Sequence, residues 1–265
     1  MGTKTASATG KIILSGEYAM LFGYTGIALP SRETITVRFT SKKHGGLTVI
    51  WGHDTLHPEW AMYAGQVAEH LGHEVKKKIR GELFIETNLP LGKGMGSSTA
   101  LVIAIARVLL GSDCKDAAKH IEDIMNPGNS GMDFAVIWEG TPILYQKGQP
   151  IQTIRLPEDL LGRMELIDSG MPSEHTPALV AWVRSREKEL QEPLSTIGSC
   201  AERIVVGESL AVVLREHHKA QVALGVVPLH TQTLIREIEK KGGAAKVIGA
   251  GGRSGGGGMI LSLHN

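Results

Sequence analysis

Two glycine-rich loops and a few charged side chains are the parts of this chain whose types and spacing could do chemistry. The first loop, Leu89-Pro-Leu-Gly-Lys-Gly-Met-Gly-Ser-Ser-Thr99, follows an alternating, strand-like run and opens a very apolar one that reads as a helix. Glycines let several backbone N–H groups converge on one concavity. A helix start adds unpaired N–H groups and the positive end of the helix dipole, so the pair is suited to phosphate. Ser97 and Ser98 can cap the helix or reach a phosphate-bound Mg2+. A glycine-rich turn with a serine cap is the bland alternative. The loop is not a Walker A sequence, because no Gly-Lys-Ser/Thr closes it. It also lacks the third glycine of the dinucleotide fingerprint, since residue 97 is Ser.

The second loop, Gly249-Ala-Gly-Gly-Arg-Ser-Gly-Gly-Gly-Gly258, lies between two β-type runs and holds seven glycines in ten residues. A hairpin tip is its simplest reading, and close approach of backbone to a ligand is the functional one. Taken singly, Lys11 reads as a solvated charge, Asp133 as a turn carboxylate after Gly128-Asn-Ser-Gly131, and Glu122 as one face of an amphipathic helix. Taken together they matter. Phosphoryl transfer needs a phosphate cradle, a metal-binding carboxylate or hydroxyl, a cation, and a base on the acceptor hydroxyl. The chain supplies one candidate for each.

The elements that must position these groups form a mixed pattern. Strand-like runs cover residues 11–14, 33–40, 47–51, 82–87, 142–146, 164–168, 246–248 and 259–263. Helical runs start at Pro58 and cover residues 99–110, 115–125, 177–190, 197–216 and 232–241. Strands first, then mixed helices and strands, predict an α+β fold with no repeat or low-complexity linker. The 265 residues, 42% hydrophobic, are enough for one large domain or two packed lobes. A net charge of +1 implies no nucleic-acid partner, and the basic run at 76–80 reads as a solvated face without stacking aromatics. Two isolated cysteines suit a reducing cytoplasm, and neither a signal peptide nor a membrane-length apolar run is visible. Eleven histidines, for instance His53 with His57 or His70 with His73, are joined by no Cys or carboxylate cluster that would make a transition-metal site. Ser173 lies either in an acceptor pocket or in the N-cap of the helix at Pro177.

Three segments in this order resemble the three motifs of the GHMP kinases. They are Gly10-Lys-Ile-Ile-Leu-Ser-Gly-Glu-Tyr-Ala-Met-Leu-Phe-Gly23, Pro90-Leu-Gly-Lys-Gly-Met-Gly-Ser-Ser-Thr-Ala100 and Ala245-Lys-Val-Ile-Gly-Ala-Gly-Gly252. Within the superfamily, Gly128-Asn-Ser-Gly-Met-Asp133, Thr141-Pro-Ile-Leu-Tyr-Gln-Lys-Gly148 and Leu166-Ile-Asp-Ser-Gly170 look most like mevalonate kinases. The resemblance implies an α+β GHMP kinase fold: an N-terminal lobe related to the ribosomal S5 domain-2-like fold over residues 1–150, packed on a C-terminal α+β lobe over 151–265. It implies ATP and Mg2+ as cofactors and phosphorylation of mevalonate. Gly92, Gly94, Gly96 and Ser97 would cradle the triphosphate, with Gly251 and Gly252 approaching it from the second loop. Ser98 and Glu122 would hold Mg2+. Asp133 would act as base, kept ionised by Lys11, and Glu17, Tyr18 and Ser173 would face the acceptor. A homodimer is left open.

The chain departs from the family pattern in several places. Thr9 stands where proline is usual, Tyr18 where mevalonate kinases commonly carry histidine, and Ile248 where threonine is frequent. Arg253-Ser254 interrupts the glycine run, as a phosphate contact or a loop-tip charge. Glu-Tyr-Ala also occurs in phosphomevalonate kinases. Phosphomevalonate kinase or another GHMP kinase therefore stands as the alternative, with an inactive regulatory protein of the same fold behind it.

Overall fold

The structure, a computed structural model, describes residues 2–52, 58–157 and 159–264, so His53 and His57 lie outside the described residues. The chain forms two compact units that interleave along the sequence. Unit one comprises Met1–Gly10, Ser31–Pro90 and Ser97–Gly140, and unit two comprises Lys11–Pro30, Leu91–Gly96 and Thr141–Asn265. A single cut at residue 150 therefore does not describe this partition. The long strands β1 (Thr3–Ser15) and β2 (Gly26–Ser41) give residues to both units.

In unit one, β4 (Gly81–Thr87) is antiparallel to the second half of β2 and parallel to β3 (Leu47–Trp51). Val37 lies opposite Ile85, and Val49 opposite Leu83. The alternation in these strands does what period-2 patterning requires: Ile35, Val37, Leu83 and Ile85 are fully buried. Helices α1 (Pro58–Glu74), α2 (Ser97–Leu110), α3 (Lys115–Met125) and α4 (Met132–Glu139) complete the unit. Because α2 is apolar nearly all round, it has to lie in the interior, and residues 99–106 are buried. By contrast α1 buries one stripe, Ala64, Val67, Ala68 and Leu71.

In unit two, β5 (Ile143–Tyr145) pairs antiparallel with the first half of β2, and β6 (Gln152–Thr153), too short to read from sequence, pairs with β5. After the one-turn α5 (Leu160–Arg163), β7 (Met164–Asp168), β9 (Met259–Leu263) and β8 (Ala244–Val247) form an antiparallel sheet in the order β7–β9–β8. Four helices accompany it: α6 (Thr176–Ser185), α7 (Gln191–Val205), α8 (Leu210–Ala223) and α9 (Leu229–Lys240). The run at 197–216, read as one helix, is two. Gly207 takes a φ of +85° and Ser209 an extended N-cap, which ends α7 and starts α8. Likewise the helix expected over 177–190 stops at Ser185. Leu179, Val183, Leu194, Ile197 and Leu224 pack one core with Tyr18 and Ala19, and Val227, Ile235, Ala245, Val247 and Ile260 pack another. Among the described residues, no helix is long and apolar enough to cross a membrane.

Candidate active site

The two glycine loops meet in unit two, backbone against backbone. A Cβ on Gly94 would fall 2.5 Å from the Ile248 carbonyl oxygen, and one on Gly249 would fall 2.7 Å from Gly94 Cα. Both residues have left-handed φ, +85° and +77°. Lys11, on β1 and only 2% exposed, donates from Nζ to the Gly94 carbonyl at 2.9 Å, and its N–H donates to Met95 O at 2.9 Å. The Met259 N–H reaches Lys93 O at 3.2 Å, and Lys93 pairs with Asp168. Thus the cation and both loops predicted from sequence are held together. Gly94→Ala is expected to cost about 2–4 kcal/mol, from left-handed strain plus displacement of the second loop. Gly92→Ala, whose Cβ would meet only the tip of Met171 at 3.7 Å, should cost about 1–2 kcal/mol from strain alone. Urea denaturation of the two variants, with ADP binding alongside, checks the difference.

Gly251 and Gly252 are needed by the loop's own turn. A Cβ on Gly251 would lie 2.2 Å from Val226 O, and one on Gly252 would lie 2.6 Å from Gly256 O. The Arg253-Ser254 interruption is a built feature. Glu174 Oε2 accepts from the Arg253 N–H at 3.0 Å, and Oε1 from the Ser254 hydroxyl at 2.7 Å. The Arg253 guanidinium lies over the Trp182 ring at 4.5 Å, so the side chain is anchored on an aromatic face. Exposed Ser173 donates its N–H to Ser254 O at 3.1 Å, while His175, not Ser173, holds the N-cap position of α6.

Glu17 and Tyr18 divide their roles. The sequence reading turns Glu17 toward an acceptor, but its buried carboxylate faces Lys246 through Oε1 and His217 through Oε2, the latter at 3.0 Å. Burial opposes its charge, yet Lys246 and His217 outweigh that and hold its pKa at about 2. Lys246 also donates to Ile13 O at 3.0 Å. Tyr18, next in sequence, has a φ of +63° and donates its hydroxyl to the Ala250 carbonyl in the second loop. Neither Lys246 nor His217 stands out in the sequence. Lys246 reads there as one charge in an apolar strand, and His217 as one of eleven histidines.

The acidic residues singled out in the sequence lie in unit one. Ser97 and Ser98 open α2, Glu122 sits on α3, and Asp133 lies in the first turn of α4 after Gly131, whose φ is +88°. Thr99 Oγ1 donates to Glu122 Oε1 at 2.8 Å. Among the described residues none hydrogen-bonds Glu122 Oε2, a buried atom. Burial raises the Glu122 carboxyl to about 7; Asp133 adds to this, and the Thr99 hydrogen bond opposes it. A buried carboxylate with one unmet oxygen beside a second carboxylate fits a divalent cation. No group of three or more His, Cys, Asp or Glu among the described residues is placed to hold a metal by itself. That donor set suits Mg2+, which takes one or two carboxylates and completes its shell with phosphate and water.

Two glycine loops packed together, and in unit one a buried Glu122 with Asp133 beside it, are the features expected of a small-molecule kinase of the GHMP class. Residues 62–140 match the family model of the GHMP kinases N terminal domain. The chain is 29% identical to the mevalonate kinase of Pyrococcus furiosus, over 97% of this chain and 88% of that one. It is 26% identical to the mevalonate kinase of Thermococcus gammatolerans with the same coverage. The L. major mevalonate kinase, solved in complex with R-mevalonate, shares the fold with a TM-score of 0.81, at 18% identity, over 100% of this chain and 87% of that one. Along nearly its whole length the chain is therefore similar to kinases of the GHMP superfamily.

Proposed function

We propose that the protein is an ATP-dependent mevalonate kinase, transferring the γ-phosphoryl group of ATP to the hydroxyl of mevalonate to give 5-phosphomevalonate. The observation that carries this reading is similarity to mevalonate kinases along 97% of the chain. The backbone amides of Gly92, Gly94, Gly96 and Ser97 hold the triphosphate, and Gly251 and Gly252 shape the second loop beside it. Ser98 and Glu122 hold Mg2+, which when bound neutralises phosphate charge. Asp133 accepts the proton of the acceptor hydroxyl as its oxygen attacks phosphorus, with Lys11 as the electrostatic partner that stabilises negative charge in the transition state. Tyr18 and Ser173 contribute to the acceptor side, Glu17 through its hold on Tyr18's segment. The cytoplasm is the compartment in which ATP is available to such a reaction.

Steady-state ADP release with mevalonate, phosphomevalonate, homoserine and simple sugars tests the reading. Mevalonate should give a kcat/KM at least about a hundredfold above the others, because a site built for one set of polar groups rejects acceptors that leave them unpaired. Turnover of phosphomevalonate alone would reassign the acceptor. A phosphorylated acceptor needs an added cation, and the nearest departure from the family pattern, Arg253, has its guanidinium on Trp182.

A further inference from the structure

Behind Ser98 and Glu122, unit one carries a chain of polar side chains that the proposed reaction does not itself use. Tyr63, on α1 and half-buried, has its hydroxyl near enough to the Ser98 side chain for the serine hydroxyl to act on it. The Tyr63 hydroxyl accepts from Asn126 Nδ2 at 3.1 Å. Asn126, the C-cap of α3, donates its backbone N–H to Glu122 O at 2.9 Å, and its amide acts on the Glu122 carboxyl. Asn126 is itself fixed, since Asn129 Nδ2 donates to its carbonyl at 2.9 Å. The Tyr63 ring is set by an edge contact with Trp60, with centroids 5.9 Å apart. Thr99 thus touches Glu122, Asn126 follows on the same helix and reaches Tyr63, and Tyr63 lies beside Ser98.

We propose that Tyr63 and Asn126 are positioning residues that orient Ser98 and Glu122 toward a divalent cation. The proposal rests on the reading of those two residues as its ligands. A serine hydroxyl has one proton and two lone pairs, and it ligates a cation through a lone pair. Its proton must then point elsewhere, and Tyr63 Oη is the acceptor that takes it. On the other side, Thr99 donates to Glu122 Oε1, and buried Oε2 is left without a hydrogen-bond partner among the described residues. Second-layer hydrogen bonds of this kind fix ligand orientation, and losing one typically costs 10–100-fold in metal affinity.

Tyr63→Phe removes the hydroxyl and keeps the ring on Trp60. Binding of Mn2+ in the presence of ADP, read by electron paramagnetic resonance, should weaken by about 10–100-fold. ADP binding without metal and the thermal midpoint should stay at wild-type values. The Mg2+ concentration for half-maximal turnover should rise while the KM for the acceptor holds. Asn126→Ala should act in the same direction through a different element, which keeps the test valid if one variant folds poorly. Ser98→Ala and Glu122→Gln are the reference arms. If they weaken Mn2+ binding and the Tyr63 and Asn126 variants do not, the positioning role is wrong. If none of the four changes Mn2+ binding, the ligand assignment falls as well.

Discussion

Asp133→Asn is expected to lower kcat by about 10³-fold while leaving ADP and ATP binding near wild-type values. The amide keeps the shape of the carboxyl and its place in the first turn of α4, but it cannot take a proton from the acceptor hydroxyl. General-base catalysis is typically worth 10²–10⁴-fold. The substitution should also lower the Glu122 pKa, because Asp133 is one of the charges that raise it. Because the substitution also removes one of the two carboxylates beside the cation, saturating Mg2+ is needed so that a loss of turnover is not ascribed to loss of metal. Single-turnover phosphoryl transfer with saturating Mg2+·ATP, alongside ADP titration, separates the two effects. Turnover within about tenfold of wild type would remove Asp133 from the role of base. Loss of nucleotide binding would instead make it a structural residue of the α4 start.

What the sequence makes legible here depends on how local the determining physics is. Glycine loops are legible because only glycine takes left-handed φ cheaply, so Gly94 and Gly249 announce their backbone. The alternating strands and the all-apolar α2 are legible because burial follows their period. Strand bounds at Leu47–Trp51, Met164–Asp168 and Met259–Leu263 agree with the sequence reading for that reason. The α7–α8 break is less visible: Gly207 sits in an otherwise helical pattern, and nothing local shows that the chain turns there. Partnerships over long separations are not legible at all. Lys246 and Glu17 are 229 residues apart, and Tyr63 serves Ser98 from another helix. A lysine in a strand and a tyrosine on an amphipathic helix have ordinary local explanations, which only tertiary placement overturns. The interleaving of the two units is hidden for the same reason, since β1 and β2 read as single strands yet contribute to both.

The same cluster sets the largest expected effect on stability. Glu17→Ala should destabilise the protein by about 3–5 kcal/mol at pH 7, because it leaves the Lys246 ammonium buried without its counter-ion. Glu17→Gln should cost less, since the amide oxygen still accepts from Lys246 and little volume is lost. The pH dependence distinguishes this cause from simple loss of packing. In the wild type, the Glu17 carboxyl is held at about 2, below its ordinary value. Its contribution is therefore complete above about pH 4.5 and lost as pH falls toward 2. In Glu17→Ala that acid limb disappears and another takes its place. Burial already lowers the Lys246 pKa, and the Glu17 carboxylate opposes it; without Glu17 the folded chain sheds the lysine proton more readily. The unfolded chain keeps that proton to about pH 10, so it binds more protons than the folded chain, and the variant's stability rises with pH across this window. Urea midpoints at pH 7 and 9.5 should show the deficit shrinking, by at most about 1.4 kcal/mol for each unit by which the folded lysine pKa falls below its unfolded value. An unchanged deficit would mean that Lys246 is not left charged, and that Glu17 supports the fold through packing alone. Because Lys246 leads directly into the second glycine loop, and Tyr18 donates to Ala250 within it, a variant that is stable yet lacks turnover would place the cluster's effect on that loop's position.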